Sequence, residues 1–235
     1  MAFFRAILIS ALLAGVVAGA ALTGVQTLKV YPLIFAAEAY EGTGHGHAAH
    51  GASNPIQDKN TRAWMPADGG ERLFYSLLSN VLMCVGLGLV LAAIFALRDV
   101  ADWRQGVAWG LGGFAAVHLA PALGLPPELP GMPAGALLAR QIWWFSTALL
   151  TAGGIALIFL SRGSLWRLLG VAVLALPHLY GAPHPANLDS DVPAVLAAEF
   201  VTASLASNLI FWVILGALIA ETMARLGRTD RPGCA

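Results

Sequence analysis

Long uninterrupted apolar runs restrict what this chain can fold into. Five runs, at about 6–28, 73–97, 106–125, 141–161 and 196–220, reach the roughly 20 residues that a helix needs to cross a bilayer. A sixth run, at about 165–180, is shorter and ends in Pro-His. Only 11% of the residues are charged, whereas soluble domains carry about 25%. We therefore expect an all-α, polytopic membrane protein in which residues 1–235 form a single integral membrane domain.

The distribution of Lys and Arg predicts the orientation and favours keeping the sixth run. With six spans and the N-terminus inside, two short inner loops carry pairs of arginines, which is typical of cytoplasmic loops. Without the sixth span, Arg225 and its neighbours Arg228 and Arg231 would lie outside. The sequence thus predicts about six transmembrane helices arranged as three outward-opening hairpins, with both termini in the cytoplasm. The basic residues assigned to the inner side are Arg5, Arg98, Arg104, Arg162, Arg167, Arg225, Arg228 and Arg231.

The first run has a second interpretation as a cleaved signal peptide. The stretch "MAFFRAILISALLAGVVAGAAL" has a basic start, an apolar core and small residues. Its apolar part is longer than a usual signal core, and Ala11, Gly15 and Gly19 have the small-xxx-small spacing of helices that pack in lipid. We expect the segment to be retained as a span.

Three similar phrases precede the helices that return from the outer side: "MPADGGER", "MPAGALLAR" and "VPAVLAAE". Each places Pro-Ala at a helix start and then a charged residue, namely Arg72, Arg140 or Glu199. A true internal repeat and the ordinary preference for proline at helix starts are both open explanations. The helix dipole disfavours a cation at these positions. We therefore expect Arg140 to approach Glu199 or another outer carboxylate, unless it extends to the lipid headgroups.

The predicted outer loop, residues 29–72, is long and rich in imidazoles. Its stretch "AEAYEGTGHGHAAH" contains Glu38 and Glu41, followed by His45, His47 and His50. Imidazole suits Zn, Cu, Ni and Co, and carboxylates can complete the coordination shell. The pattern predicts a capture site for a divalent transition metal. The alternative is a solvated linker with incidental histidines.

Polar residues within the apolar runs suggest a deeper site. His118, His178 and Glu199 fall in or beside the outer thirds of predicted spans, with Asn80 and Asn208 as neutral neighbours. Ionisable groups at such positions commonly serve function. Hydrogen bonding between helices is the competing explanation, and it is the favoured one for the two asparagines.

Composition also bears on other classes of function. The formal net charge is zero, so the chain lacks the basic surface that binds nucleic acid. It has no P-loop of the G-x-x-x-x-G-K-[ST] type. No serine or cysteine motif of a nucleophilic enzyme is present, and we expect no enzyme activity and no tightly bound cofactor. A membrane enzyme using His and Glu, or a non-transporting metal-sensing or assembly subunit, stays as an alternative.

Several phrases together resemble one family. They are "YPLIFAAEAYEG", "WMPADGGER", "GLPPELPGMP", "ARQIWW", "PHLYGAPHP" and "FVTASLASNLIFWVILG". In combination they look like CbtA, the predicted cobalt transporter subunits of bacteria. The resemblance implies uptake of Co²⁺ for cobalamin supply, across the bacterial inner membrane, beside a small single-span, histidine-bearing companion, CbtB. It implies no particular set of metal ligands.

Overall fold

The computed structural model describes residues 2–41, 66–100 and 102–229, and every regular element within these ranges is helical. A π-helical turn at Ala115–Leu119 joins α4 to α5, so that residues 103–122 form one helical stretch. The helices are α1 (Ala2–Lys29), α2 (Tyr31–Glu41), α3 (Gly70–Arg98), α4 (Trp103–Phe114), α5 (Ala120–Ala122), α6 (Leu137–Leu160), α7 (Ser164–Tyr180) and α8 (Ala194–Thr229).

Four of these helices, α1, α3, α6 and α8, are long and apolar enough to cross a membrane. Helix α7 is apolar but has only 17 residues. Large apolar side chains cover the outside of the helices; Leu97 is 80% exposed and Leu179 is 81% exposed. Because water would not tolerate so much apolar surface, these faces indicate a multi-pass membrane protein.

The main core lies where α1, α3, α4 and α8 meet. Helix α1 contributes one fully buried face to this core, on which Ala11, Ala14, Ala18 and Leu22 are all essentially inaccessible. Gly15 and Gly19 lie against Val85 and Val81 of α3, where an added Cβ would collide with backbone atoms. The small residues noted in the sequence therefore face a neighbouring helix, and α1 is part of the packed body.

The predicted pairing of helices into three hairpins describes only the first hairpin well. Helices α1 and α3 pack together. Helix α4 packs chiefly against α8, and the stretch 103–122 contacts α6 mainly through the π turn and α5, whereas α7 packs against α6. Glycines explain which helices pack together, because without a Cβ the backbones of two helices can come into direct contact. A Cβ at Gly106 of α4 would overlap the carbonyl of Gly216 of α8, and Gly154 and Gly170 make the matching approach between α6 and α7.

The predicted orientation places segments 29–72, 126–140 and 181–195 outside, and the described parts of these three segments meet at one end of the helical bundle. A second apolar cluster joins Val30 and Ala37 with Leu129, Val192 and Phe200. Gly135 also lies close to the backbone of Pro183 and His184. Part of the predicted outer loop 29–72 differs from expectation, because Tyr31–Glu41 form α2. Its run "YPLIFAAEAYE" contains no glycine, and Pro32 falls in the first turn, where a missing N–H is tolerated.

Candidate functional site

Arg72 forms ion pairs with two carboxylates at the end of the bundle where the predicted outer segments meet. Its Nη2 donates to Oε1 of Glu38 in α2 at 2.6 Å, and its Nη1 donates to Oδ1 of Asp68 at 3.1 Å. The guanidinium carbon also lies 4.7 Å from the centre of the Phe35 ring. One cation thus ties α2 to the start of α3, and the group of three charges carries one excess negative charge.

Asn80, two turns further along α3, joins α3 to α1. Its Nδ2 donates to Oγ1 of Thr23 at 3.0 Å and to Oε1 of Gln26 at 2.7 Å. Thr23 in turn donates to the carbonyl of Gly19 at 2.9 Å. Since an amide nitrogen has only two hydrogens, both donors of Asn80 are used between the helices and Oδ1 is its remaining polar atom. Its structural role, favoured from the sequence, agrees with this bonding.

A cavity of about 380 Å³ separates these two polar groups. Its wall is polar and apolar in about equal parts, and the first described residue after segment 42–65, Pro66, borders it. The lining residues are Tyr31, Pro66, Arg72, Tyr75, Ser76, Ser79 and Asn80. We call this space the α3 cavity.

A second cavity, of about 420 Å³, lies between the end of α5, the loop that follows it, and α6 and α8; we call it the α6 cavity. Its wall is mainly apolar, with Pro126, Pro127, Trp144 and Phe145 among the lining residues. Arg140 lines it and donates from Nη2 to Oε2 of Glu128 at 2.6 Å. The side chains of this pair are only 26% and 22% exposed. The predicted partner of Arg140 is thus an outer carboxylate, but Glu128 rather than Glu199.

His118 lies in the wall of the α6 cavity, within the π-helical turn. The indole nitrogen of Trp212 donates to its Nδ1 at 3.0 Å. An indole N–H can only donate, so Nδ1 carries no proton and neutral His118 has its hydrogen on Nε2. In this state the other ring nitrogen, Nε2, is a hydrogen-bond donor. Coordination of a cation would require His118 to change tautomer or to leave Trp212.

The structure separates the other residues predicted for a deeper metal site. His178 is exposed at the end of α7 with its ring 6.2 Å from that of Trp143, and Glu199 is exposed on the second turn of α8. Among the residues that the structure describes, no three His, Cys, Asp or Glu side chains come together closely enough to hold a metal. His118, His178 and Glu199 therefore do not form one site in this state.

The predicted capture loop falls mostly outside the described residues. His45, His47 and His50 belong to segment 42–65, and nothing is described there. The backbone of Glu41 ends α2, and Glu38 is bound to Arg72. The metal assignment of these five residues stays a prediction.

Sequence reasoning did not identify the serines of the α3 cavity or the importance of Glu128. Ser76 and Ser79 carry a signal in retrospect, since they follow Arg72 at helical spacing on the way to Asn80. Glu128 lies in the proline-rich stretch "GLPPELPGMP" and gave no periodic signal. Its role depends on the path of a loop, which sequence periodicity does not specify.

Comparison with known proteins gives one match. The model of a family described as probable cobalt transporter subunit (CbtA) covers residues 4–224. No curated protein and no solved structure matches.

Proposed function

The chain belongs to the CbtA family, and from this premise we propose that it is the membrane subunit that carries Co²⁺, or a related divalent transition metal, into the bacterial cell. The family match over residues 4–224 carries the proposal. The cavities and carboxylates gathered at one end of an otherwise apolar bundle support it. We place that end outside the inner membrane and both termini in the cytoplasm, in line with the positive-inside distribution.

We propose six membrane crossings, formed by α1, α3, α4 with α5, α6, α7 and α8. Four of these helices satisfy the length and apolarity requirement on their own. The stretch 103–122 has 20 residues once the π turn is included, and α7 has 17, the usual lower end for a span. The antiparallel course of α1 against α3 and of α4 against α8 fits an even number of crossings.

In this function the imidazoles of His45, His47 and His50, together with Glu38 and Glu41, capture the cation at the outer face. Flexible, weak capture suits a carrier, because an ion that binds too tightly is not released. Arg72 competes with the metal for Glu38, so cation binding and the Arg72–Glu38 ion pair oppose each other. The transported ion is the substrate, and no resident cofactor is required.

The membrane potential is large enough to drive the uptake. A doubly charged ion gains about 4.6 kcal/mol per 100 mV on moving to the negative side, twice the value for a single charge. The family description names a subunit, and we propose a small, single-span, histidine-bearing companion of the CbtB type as its partner. A supply of Co²⁺ for cobalamin synthesis is the corresponding physiological role.

Uptake of radioactive Co²⁺ into reconstituted vesicles tests this function. Vesicles that contain the chain, with an inside-negative potential, are expected to accumulate the ion faster than protein-free vesicles. Ni²⁺ is expected to compete better than Mg²⁺, because imidazole and carboxylate ligands favour late first-row metals. No uptake in vesicles with the chain alone and none with the companion would contradict transport; uptake only with the companion would assign this chain an obligatory partner.

A further inference from the structure

We infer that the α6 cavity binds a zwitterionic phospholipid of the phosphatidylethanolamine type. In this complex the phosphate contacts Arg140, the ammonium group contacts Glu128, and an acyl chain lies in the gap between α6 and α8. The inference goes beyond the proposed transport and does not depend on it. It gives the Arg140–Glu128 ion pair a ligand in addition to its place in the fold.

Helices α6 and α8 stand apart, and the α6 cavity occupies the space between them. Helix α6 packs against α7, the π turn and α5, and it makes almost no direct contact with α8. The volume of about 420 Å³ lies within the range of about 300–1,000 Å³ that is typical of ligand clefts. Leu137 and Phe145 both line the cavity, and their eight-residue separation corresponds to about 12 Å along the helix. A space that begins at a helix end and continues along apolar side chains matches a lipid, in which hydrocarbon follows a polar headgroup.

The ion pair in the cavity wall has unused hydrogen-bonding groups of both signs. Nη2 of Arg140 donates to Oε2 of Glu128, but Nε of Arg140 is buried and has no hydrogen-bond partner among the described residues. Oε1 of Glu128 likewise accepts no hydrogen bond from the part of the chain that the structure describes. Buried N–H groups in proteins are rarely without an acceptor. The pair therefore has a donor and an acceptor available for a ligand.

The charge of the lining selects a zwitterion. Among the described residues that line the cavity, Arg140 and Glu128 carry one charge of each sign, and His118, Gln141 and Asn208 add neutral polar groups. A phosphate on Arg140 and an ammonium on Glu128 both form charge-assisted hydrogen bonds. They leave no excess charge beside an apolar wall, where an unpaired charge is costly. An anionic headgroup would bring surplus negative charge close to Glu128, and a choline headgroup has no N–H to donate.

The start of α6 provides further donors for the phosphate. No side chain caps this helix, so the N–H groups of its first turn lack an intrahelical partner. Leu137, the first residue of the helix, lines the cavity. Because helix N-termini attract phosphate groups, the helix end and the guanidinium of Arg140 favour the same part of the ligand.

The lipid affinity of the purified full-length chain tests the inference. Native mass spectrometry measures Kd for phosphatidylethanolamine, phosphatidylcholine and phosphatidylglycerol, each with the same two oleoyl chains. The parent protein is expected to bind phosphatidylethanolamine at least about tenfold more tightly than either of the others, equivalent to about 1.4 kcal/mol. Equal affinities for phosphatidylethanolamine and phosphatidylcholine would overturn the inference.

Two double variants identify the groups responsible for this preference. Arg140→Leu/Glu128→Leu should bind phosphatidylethanolamine and phosphatidylcholine within about twofold of each other, about 0.4 kcal/mol. Arg225→Leu/Glu221→Leu is the matched control and should keep the preference, because that pair has the same 2.6 Å separation but lies on α8 outside the cavity. A preference that persists in the first variant, with its helicity confirmed by circular dichroism, would contradict the assignment.

Photolabelling of the parent protein provides a test without any substitution. A phosphatidylethanolamine with a diazirine in one acyl chain should label Trp144, Phe145 and Leu205 of the cavity more strongly than Leu168 and Leu176 on the exposed face of α7. Unlabelled phosphatidylethanolamine should compete for the cavity residues, and phosphatidylcholine should compete less well. Uniform labelling would show only surrounding lipid. Labelling of the cavity in detergent but not in native membranes would assign the gap to a partner protein, and either result would overturn the inference.

Discussion

Arg140 and Glu128 form an ion pair of 2.6 Å between the start of α6 and the proline-rich loop before it. Arg72 and Glu38 repeat this relationship at the start of α3, also at 2.6 Å. In both places an arginine in the first two turns of a helix, where the dipole disfavours a cation, is neutralised by a glutamate from the preceding segment. The two phrases that end in Arg72 and Arg140 thus share a structural function. In the third phrase the corresponding residue is Glu199, which is negatively charged where the other two are positive, and its side chain is exposed.

We expect the Arg140–Glu128 pair to stabilise the fold. Arg140→Ala should lower the free energy of unfolding by about 1–3 kcal/mol, because a poorly solvated carboxylate loses its charged partner. The double variant Arg140→Leu/Glu128→Leu should recover part of that loss, since it leaves no unpaired charge. Thermal unfolding in detergent measures both, and equal stability of the parent protein and Arg140→Ala would show that the pair contributes nothing.

Gly110 is expected to be essential for the contact between α4 and α8. A Cβ at this position would overlap the carbonyl oxygen of Trp212. Gly110→Ala should therefore destabilise the protein by about 1–3 kcal/mol, the usual cost of overpacking. Gly112→Ala, two residues away with no atom within 4 Å of its Cβ, should be neutral or slightly stabilising. Similar melting temperatures for the two variants would contradict the close approach of these helices.

The hydrogen bond from Trp212 fixes the tautomer of His118. Nitrogen-15 spectra of histidine-labelled protein should show a bare Nδ1 and a protonated Nε2 for His118, with the signal assigned by its loss in His118→Gln. Trp212→Phe removes the donor and should give a mixture of tautomers. The same spectrum in both proteins would show that this hydrogen bond does not control the imidazole.

The histidines of the outer loop are expected to affect uptake at low metal concentration. Changing His45, His47 and His50 to alanine together should raise the Co²⁺ concentration for half-maximal uptake while leaving the maximal rate and thermal stability nearly unchanged, because capture precedes passage. His184→Ala is the matched control, because His184 is an exposed histidine of a different segment. If the half-maximal concentration is unchanged, the loop is a linker.

Helix α1 should be present in the mature protein. Removal by a signal peptidase would expose the core contacts of Leu22 and the α3 surface around Val81 and Val85. The intact mass of protein purified from membranes should therefore include residues 4–29. A mature chain that begins after α1 would instead support the signal-peptide interpretation.

The sequence predicted the helical character of the chain and the gathering of its three polar segments at one end. Both follow from local properties: apolar runs of spanning length and the alternation of direction in successive helices. It also predicted a carboxylate for Arg140, because an arginine near a helix N-terminus in an apolar setting needs a partner. It did not predict which one, since Glu128 reaches Arg140 through a loop that turns at several prolines.

The sequence by itself determined that this is a membrane protein made of helices, because a chain with so few charges must satisfy its backbone hydrogen bonds within each segment. Only the tertiary structure decided which helices are neighbours, which polar groups share a cavity, and that His118 accepts a hydrogen bond from Trp212 and does not join His178 and Glu199. The physical reason is that these relationships depend on close contact between distant glycines, such as Gly106 and Gly216. The apolar pattern of a helix permits many partners, and backbone contact selects among them.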